Sequence, residues 1–277
     1  MYQLKLSSGS WSETVLHSFA GGPSDGSEPD GNLVLSGASF YGTTAVGGAS
    51  GYGTAFKLKD SSGTWTESVI YNFAGGSGDG SYPYAGLALS GGVFYGTTFY
   101  GGTHNAGTVY SLTLSGSTWT ENLLYSFGGS GDGANPHAPL AISSSGVLYG
   151  TTYNGGASGD GTVFSLTPSG GSWTEAVLYS FSGSDRENPH GGVVIGSGGV
   201  LYGTTLAGGA SGDGTVFSLT PPVAPSTTWT ETVLHSFAGG SSDGGQLRAR
   251  VLCLAVAGCS MAPPSRADLR VRARSTR

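Results

Sequence analysis

Three features of the sequence predict an all-β fold assembled from one repeated module. Tryptophans fall at Trp11, Trp65, Trp119, Trp173 and Trp229, at steps of 54, 54, 54 and 56 residues. Glycine supplies 52 of the 277 residues and is spread so evenly that no stretch of helix formers survives uninterrupted. The 5 Trp, 14 Tyr and 11 Phe are too many for a solvated chain, so they must be buried somewhere. Glycine does not recur at every third position, which excludes a collagen helix. No apolar run approaches the ~20 residues of a membrane-spanning helix. A net charge of −6 with only 10% charged residues argues against a nucleic-acid partner.

Each module reads as four short strands. The first in module order is an apolar stretch: Leu33-Val34-Leu35, Leu87-Ala88-Leu89, Leu140-Ala141-Ile142 and Val193-Val194-Ile195. Tyr-Gly-Thr-Thr follows, beginning at Tyr41, Tyr95, Tyr149 and Tyr202. After a Gly-rich loop comes a segment of the type Thr-Val-Phe-Ser-Leu-Thr, beginning at Thr54, Thr108, Thr162 and Thr215. The Trp segment is fourth, rich in the β-branched and aromatic residues that suit a pleated surface. Apolar residues fall on both of its faces, so it is expected to be covered on both sides. A second Gly-rich loop, with Asp-Gly and then Pro, leads into the next module: Asp25-Gly26 to Pro29, Asp79-Gly80 to Pro83, Asp132-Gly133 to Pro136.

Four antiparallel strands per ~54 residues predict a β-propeller, each blade covering its neighbour because a lone sheet could not bury its faces. A parallel β-solenoid is the alternative. Within a blade the expected order runs from an inner Leu-x-Leu strand through Tyr-Gly-Thr-Thr and the Phe strand to an outer Trp strand. Residues 1–245 make up the array, four complete blades plus a partial closing one. The array is expected to be incomplete at both ends. Met1–Leu6 aligns with a third strand. After Gly245 the pattern stops, and seven of the eleven Lys and Arg lie between Arg248 and Arg277. A shifted reading frame across Gly258–Asp268 would restore the missing Tyr-Gly-Thr-Thr, so residues 246–277 are expected to be frame-shifted and disordered. Cys253 and Cys259 then have no designed partner.

The run Gly146-Val147-Leu148-Tyr149-Gly150-Thr151-Thr152 through Gly159-Asp160-Gly161-Thr162-Val163-Phe164-Ser165-Leu166, recurring in register from Met1 to about Gly244, resembles the GloVer tandem-repeat family of bacterial choice-of-anchor proteins. The resemblance implies an exported or cell-surface protein. It implies no catalytic residues.

Asp25, Asp79 and Asp132 sit before glycine and read as turn caps. A calcium loop would need several oxygen ligands close together, and each loop offers one. His17 and His235 stand where other copies have Tyr71, Tyr125 and Tyr179, and read as packing. Glu13, Glu67, Glu121, Glu175 and Glu231 recur in every copy, which points to structure. No serine sits in a nucleophile elbow. No cofactor and no metal are expected.

Comparison between modules is more informative. Where copies agree, folding sets the residue; where they differ, function is free to act. The residue after the loop proline is Asp30, Tyr84, His137 and His190. The pair after Tyr-Gly-Thr-Thr includes Phe99-Tyr100, Tyr153-Asn154 and Leu206-Ala207. Both loops open on one face in the expected strand order. Asp30, Tyr84, Tyr100, His137, Tyr153, Asn154 and His190 are therefore the candidate binding residues, forming a rim for a glycan or a protein. Neutral variation in exposed loops would explain the same differences. The expected function is a non-catalytic secreted or cell-surface scaffold; an exported enzyme acting on a polysaccharide is the rival.

Overall fold

The computed structural model describes residues 1–183 and 188–239. The out-of-pattern segment 246–277, with its two cysteines, lies outside the described residues.

Four modules repeat one antiparallel meander, and the strand neighbours within each are those expected. In the first, Val34–Ser36, Ser39–Thr44, Thr54–Ser61 and Thr64–Asn72 are hydrogen-bonded in that order. The second uses Ala88–Ser90, Val93–Thr98, Thr108–Ser115 and Thr118–Ser126. The third uses Ala141–Ile142, Leu148–Gly155, Thr162–Ser169 and Ser172–Ser180, and the fourth Val194–Ile195, Leu201–Thr204, Thr215–Thr220 and Thr230–Ser236. Ahead of them Tyr2–Ser7 pairs with Ser10–Val15, as a third strand pairs with a fourth. One 3-10 turn, Ser197–Gly199, is the sole helical element among the described residues.

The core lies between consecutive sheets. Tyr41 and Ala55 of the first module pack with Phe94, Tyr110 and Leu112 of the second. Val109 and Phe127 pack with Leu148, Phe164 and Leu166 of the third. Val163 and Phe181 pack with Leu201, Phe217 and Leu219 of the fourth. One edge-to-face ring contact repeats at each junction: Phe19–Phe56, Phe73–Tyr110, Phe127–Phe164 and Phe181–Phe217, at centroid distances of 5.1, 5.0, 5.0 and 5.2 Å. Each such pair contributes ~0.5–1.5 kcal/mol beyond its area burial.

The strand buried on both faces is the third, not the fourth. Residues Thr108–Leu112 are all buried, whereas Thr118–Glu121 alternate between exposed and half-buried. The Trp strand is a sheet edge whose first half turns one face to solvent, so the expected two-sided cover holds only along its second half, where Leu123–Ser126 are half-buried on both faces and Leu124 and Tyr125 pack on the core.

Tyr-Gly-Thr-Thr recurs because each residue does separate work. A Cβ on Gly150 would stand 2.5 Å from Cζ of Phe164, so only glycine lets the central ring lie flat on the strand. The first threonine reaches the next module: Thr43 Oγ1 donates to the Ala85 carbonyl at 2.7 Å, Thr97 to Ala138 at 3.3 Å and Thr151 to Gly191 at 3.0 Å. The second stays at home, with the hydroxyls of Thr44 and Thr54 2.8 Å apart and those of Thr152 and Thr162 also 2.8 Å apart.

Candidate functional site

The two variable loops are brought together by a short antiparallel pairing. Gly26–Ser27 pairs with Val46–Gly47, Gly80–Ser81 with Tyr100–Gly101, and Gly133–Pro136 with the end of the strand Leu148–Gly155. The Asp-Gly loop is thereby tied to the segment following Tyr-Gly-Thr-Thr. The approach is close: a Cβ on Gly101 would lie 2.4 Å from the Asp79 carbonyl, and its φ is +86°. Glycine alone meets both demands.

The aspartate of each loop acts as the expected turn cap. Asp79 accepts from the backbone N–H of Ala74 at 2.7 Å and of Gly80 at 2.6 Å. Tyr71 also donates its hydroxyl to Asp79, at 3.1 Å. Asp132 repeats this with Gly128, Gly133 and Tyr125.

The residue before the loop proline holds a left-handed backbone in every module: Glu28, Tyr82, Asn135 and Asn188 have φ of 57°, 57°, 58° and 52°. Asparagine tolerates that region and side chains such as tyrosine rarely enter it. Hydrogen bonds on both sides hold it there. Tyr82 donates its N–H to the Tyr52 carbonyl and accepts at its own carbonyl from the N–H of Phe99. Asn135 and Asn188 add side-chain donation to the carbonyls of Phe99 and Tyr153, both at 2.8 Å. Two residues further on, the chain emerges at Asp30, Tyr84, His137 and His190.

Three of those four stack in a row. Tyr84 and His137 are nearly parallel, at 5.0 Å and 11°, and His137 meets His190 at 4.0 Å and 38°. Phe99 turns its edge to Tyr84 and His137 at 5.6 and 5.7 Å, and Tyr153 does so to His190 at 6.3 Å. Phe99, His137, Tyr153, His190 and Leu206 line a pocket of about 250 Å³ contributed by three modules. Burial, then the negative charge of Glu28 and the neighbours Tyr100, Tyr82 and Asp30, raise the Tyr84 hydroxyl above its ordinary pKa.

The expected rim is therefore divided. Tyr84, His137, Tyr153 and His190 come together. Asp30 is exposed and reaches the row through its charge on Tyr84. Tyr100 lines a second pocket of about 240 Å³ with Tyr52, Tyr82 and Asn105. Asn154 donates from Nδ2 to Oδ1 of Asn135 at 3.0 Å and serves the loop. Phe99 lines the pocket beside the row and Tyr100 the second pocket, although their rings meet edge-on at 4.8 Å. Phe99, Tyr153 and Leu206 all hold the first position after Tyr-Gly-Thr-Thr, a repeat position that comparison between modules could have nominated.

A model of the Gloeobacter/Verrucomicrobia repeat matches residues 1–120 and 65–259. The chain belongs to this repeat family. The Tyr-Gly-Thr-Thr and Trp-Thr-Glu signatures from which membership was expected are the same residues that build the intermodule cores of a Gloeobacter/Verrucomicrobia repeat protein. No curated protein sequence matches the chain. Among solved structures, one similar fold is a xylan β-1,4-xylosidase from Bacillus halodurans C-125, at 15% identity and a TM-score of 0.42. The similarity covers 76% of this chain and 43% of the xylosidase, so the chain spans less than half of that enzyme's length. The expectation of a non-catalytic scaffold is corrected in favour of its rival, the enzymatic reading, which is taken forward on the residues of the pocket alone. Among the described residues, no helix is long and apolar enough to cross a membrane.

Proposed function

We propose that the sheets are blades of a β-propeller and that the pocket lined by Phe99, His137, Tyr153 and His190 is the active site of an enzyme that cleaves a polysaccharide outside the cell. The ring reading is supported by four meanders of one strand order, each sharing a core with the next. The extracellular setting is the one the family resemblance implies.

The observation that carries the enzymatic reading is the meeting of two imidazoles and a phenol over an aromatic-lined hollow. At about 250 Å³ the pocket falls just under the ~300 Å³ of drug-sized ligand sites, so it takes one ring of a chain rather than an oligosaccharide. Phe99 and the Tyr84–His137 stack offer apolar faces to the C–H face of a sugar. Hydrolysis by paired carboxylates needs two acids flanking the scissile bond, and those lining the pocket are imidazole and phenol instead. Imidazole exchanges a proton near neutral pH and suits a general base.

The chemistry these groups fit is elimination from a uronate-containing polysaccharide. A histidine takes the proton next to the uronate carboxylate. The electron pair left behind forms the C4–C5 double bond, and the C4–O4 bond breaks. The leaving oxygen receives its proton from Tyr153 or the second histidine. No oxidant or second substrate is required.

The test is a panel of uronate polysaccharides beside neutral xylan, followed by ultraviolet absorbance of the unsaturated product and by release of reducing ends. Activity on a uronate polymer, lost in His190→Ala and in Tyr153→Phe, is the expected result. Reducing ends from xylan without ultraviolet absorbance would overturn the elimination step, and silence on every substrate would overturn the enzymatic reading.

A further inference from the structure

A second cluster lies apart from the pocket, at the junction between the N-terminal strand pair and the first module. His17, Asp25 and Glu67 each present one ligand atom, and the three atoms lie within 4.8 Å of one another. We propose that these three side chains form a binding site for a divalent transition metal, zinc in the first instance, that staples the N-terminal strand pair to the first module.

The later junctions serve as internal controls. Each has the same two carboxylates: Asp79 near Glu121, and Asp132 near Glu175. There the aromatic residue is Tyr71 or Tyr125, whose hydroxyl donates to the aspartate at 3.1 or 3.0 Å. A neutral phenol supplies a proton to the carboxylate and competes with a cation for it. At the first junction imidazole replaces phenol and turns Nε2, which can ligate a metal once deprotonated, toward the same place. His235 is the other histidine at this repeat position, and its loop aspartate, Asp243, lies outside the described residues.

The spacing of His17 and Asp25 is long for a hydrogen bond and matches two ligands of one metal. His17 Nε2 stands 3.4 Å from Asp25 Oδ1, beyond the usual 2.7–3.2 Å of an N–H···O bond. Two ligands at ~2.0–2.1 Å from a tetrahedral zinc are themselves about 3.3 Å apart. The partners are held ready. Asp25 accepts from the backbone N–H groups of Ala20 and Gly26, both at 2.7 Å. The ring of Phe19 stands edge-on to His17 at 4.6 Å. Among the described residues, Glu67 keeps a buried Oε1 with no hydrogen-bond partner, as do Glu121 and Glu175, so it is the histidine that sets the first junction apart. One nitrogen and two carboxylate oxygens, with a fourth position for water, is a donor set that zinc accepts.

The experiment is a zinc titration of the metal-stripped full chain by calorimetry, with Cys253 and Cys259 changed to serine so that thiols do not compete. His17→Tyr installs the residue that the next two modules already carry here, so it is expected to fold. The unaltered site should take up one zinc, and His17→Tyr should weaken that uptake by at least about tenfold, since losing a ligand costs no less than losing a second-sphere partner. Zinc should raise Tm in the parent and not in His17→Tyr, while a His137→Ala/His190→Ala double variant should bind like the parent. Cobalt(II) in place of zinc should give visible absorption that His17→Tyr abolishes. Absence of zinc uptake, equal uptake by His17→Tyr, or loss confined to the His137/His190 double variant would each overturn the proposal.

Discussion

His137 and His190 meet with ring centroids 4.0 Å apart although they come from consecutive modules. Tyr84 lies against the other side of His137 at 5.0 Å. The stack is possible because each of the three follows the same proline, after a residue locked in the left-handed region.

The row and the second pocket separate experimentally. Tyr84→Ala removes the platform beneath His137, worth ~0.5–1.5 kcal/mol as an aromatic pair. Binding of a glycan that occupies the pocket should weaken by about two- to tenfold. Tyr100 lines the second pocket and touches the row through Phe99, so Tyr100→Ala should weaken it less. Calorimetry with the best substrate of the polysaccharide panel, or its inhibitory fragment, checks both; equal losses would show that the two tyrosines share one surface.

Stability should fall as pH rises through the window between the ordinary carboxylate range and neutrality. Glu121 and Glu175 are each held at about 7, first by burial and then by the charge of Asp79 or Asp132. In the unfolded chain they titrate near the model-peptide value of ~4.3. Between those values the folded state binds more protons than the unfolded one, so its advantage is greatest at the acid end and declines toward pH 7 and above. Glu121→Gln mimics the protonated form. It should raise Tm at pH 8, change it little at pH 5, and flatten the slope between. A Tm that climbs from pH 5 to pH 8 as steeply in the parent as in Glu121→Gln would refute this assignment.

How much of this was legible in advance follows from what repetition records. Five tryptophans in register display the module, and the strand order follows from the meander. Repetition does not record how far along a strand its cover extends, so the Trp strand looked covered on both sides throughout when its first half opens one face to solvent and the Phe strand is the more enclosed. Divergence between copies located the row of Tyr84, His137 and His190. The same comparison grouped Tyr100 with Phe99, whose rings touch but which line different pockets. His17 read as packing because it replaces tyrosine. Its relation to Asp25 and Glu67 joins three segments, and no single stretch of sequence carries that relation.

The intermodule threonines should contribute in proportion to the quality of their hydrogen bonds. Thr43→Val keeps the side-chain shape and removes a donor that reaches the Ala85 carbonyl at 2.7 Å in a buried setting. The expected cost is ~1–3 kcal/mol, the range for leaving a buried polar group without its partner. Thr97→Val removes a longer bond, 3.3 Å to Ala138, and should cost less. Urea midpoints at constant m-value measure both, and the reverse order would mean that the bond lengths do not govern the junctions.

Gly150 and Phe164 should behave as a coupled pair. The ring of Phe164 is fully buried, meets Phe127 edge-on, and lies where a Cβ at position 150 would be, 2.5 Å from its Cζ. The same Cβ would also stand 2.9 Å from Cδ2 of Leu140, so a methyl at position 150 meets two side chains at once. Gly150→Ala should therefore overpack the core at a cost of ~1–3 kcal/mol. Phe164→Leu opens space and forfeits the ring contact, a loss of similar size. Placed together, the smaller side chain accommodates the new methyl, and the double variant should be more stable than the sum of the two losses allows, by the ~0.5–3 kcal/mol typical of residues in contact. Denaturant unfolding of the four proteins in the cycle gives the coupling directly. Strict additivity would mean that the glycine is required for its backbone conformation rather than for the ring that rests upon it.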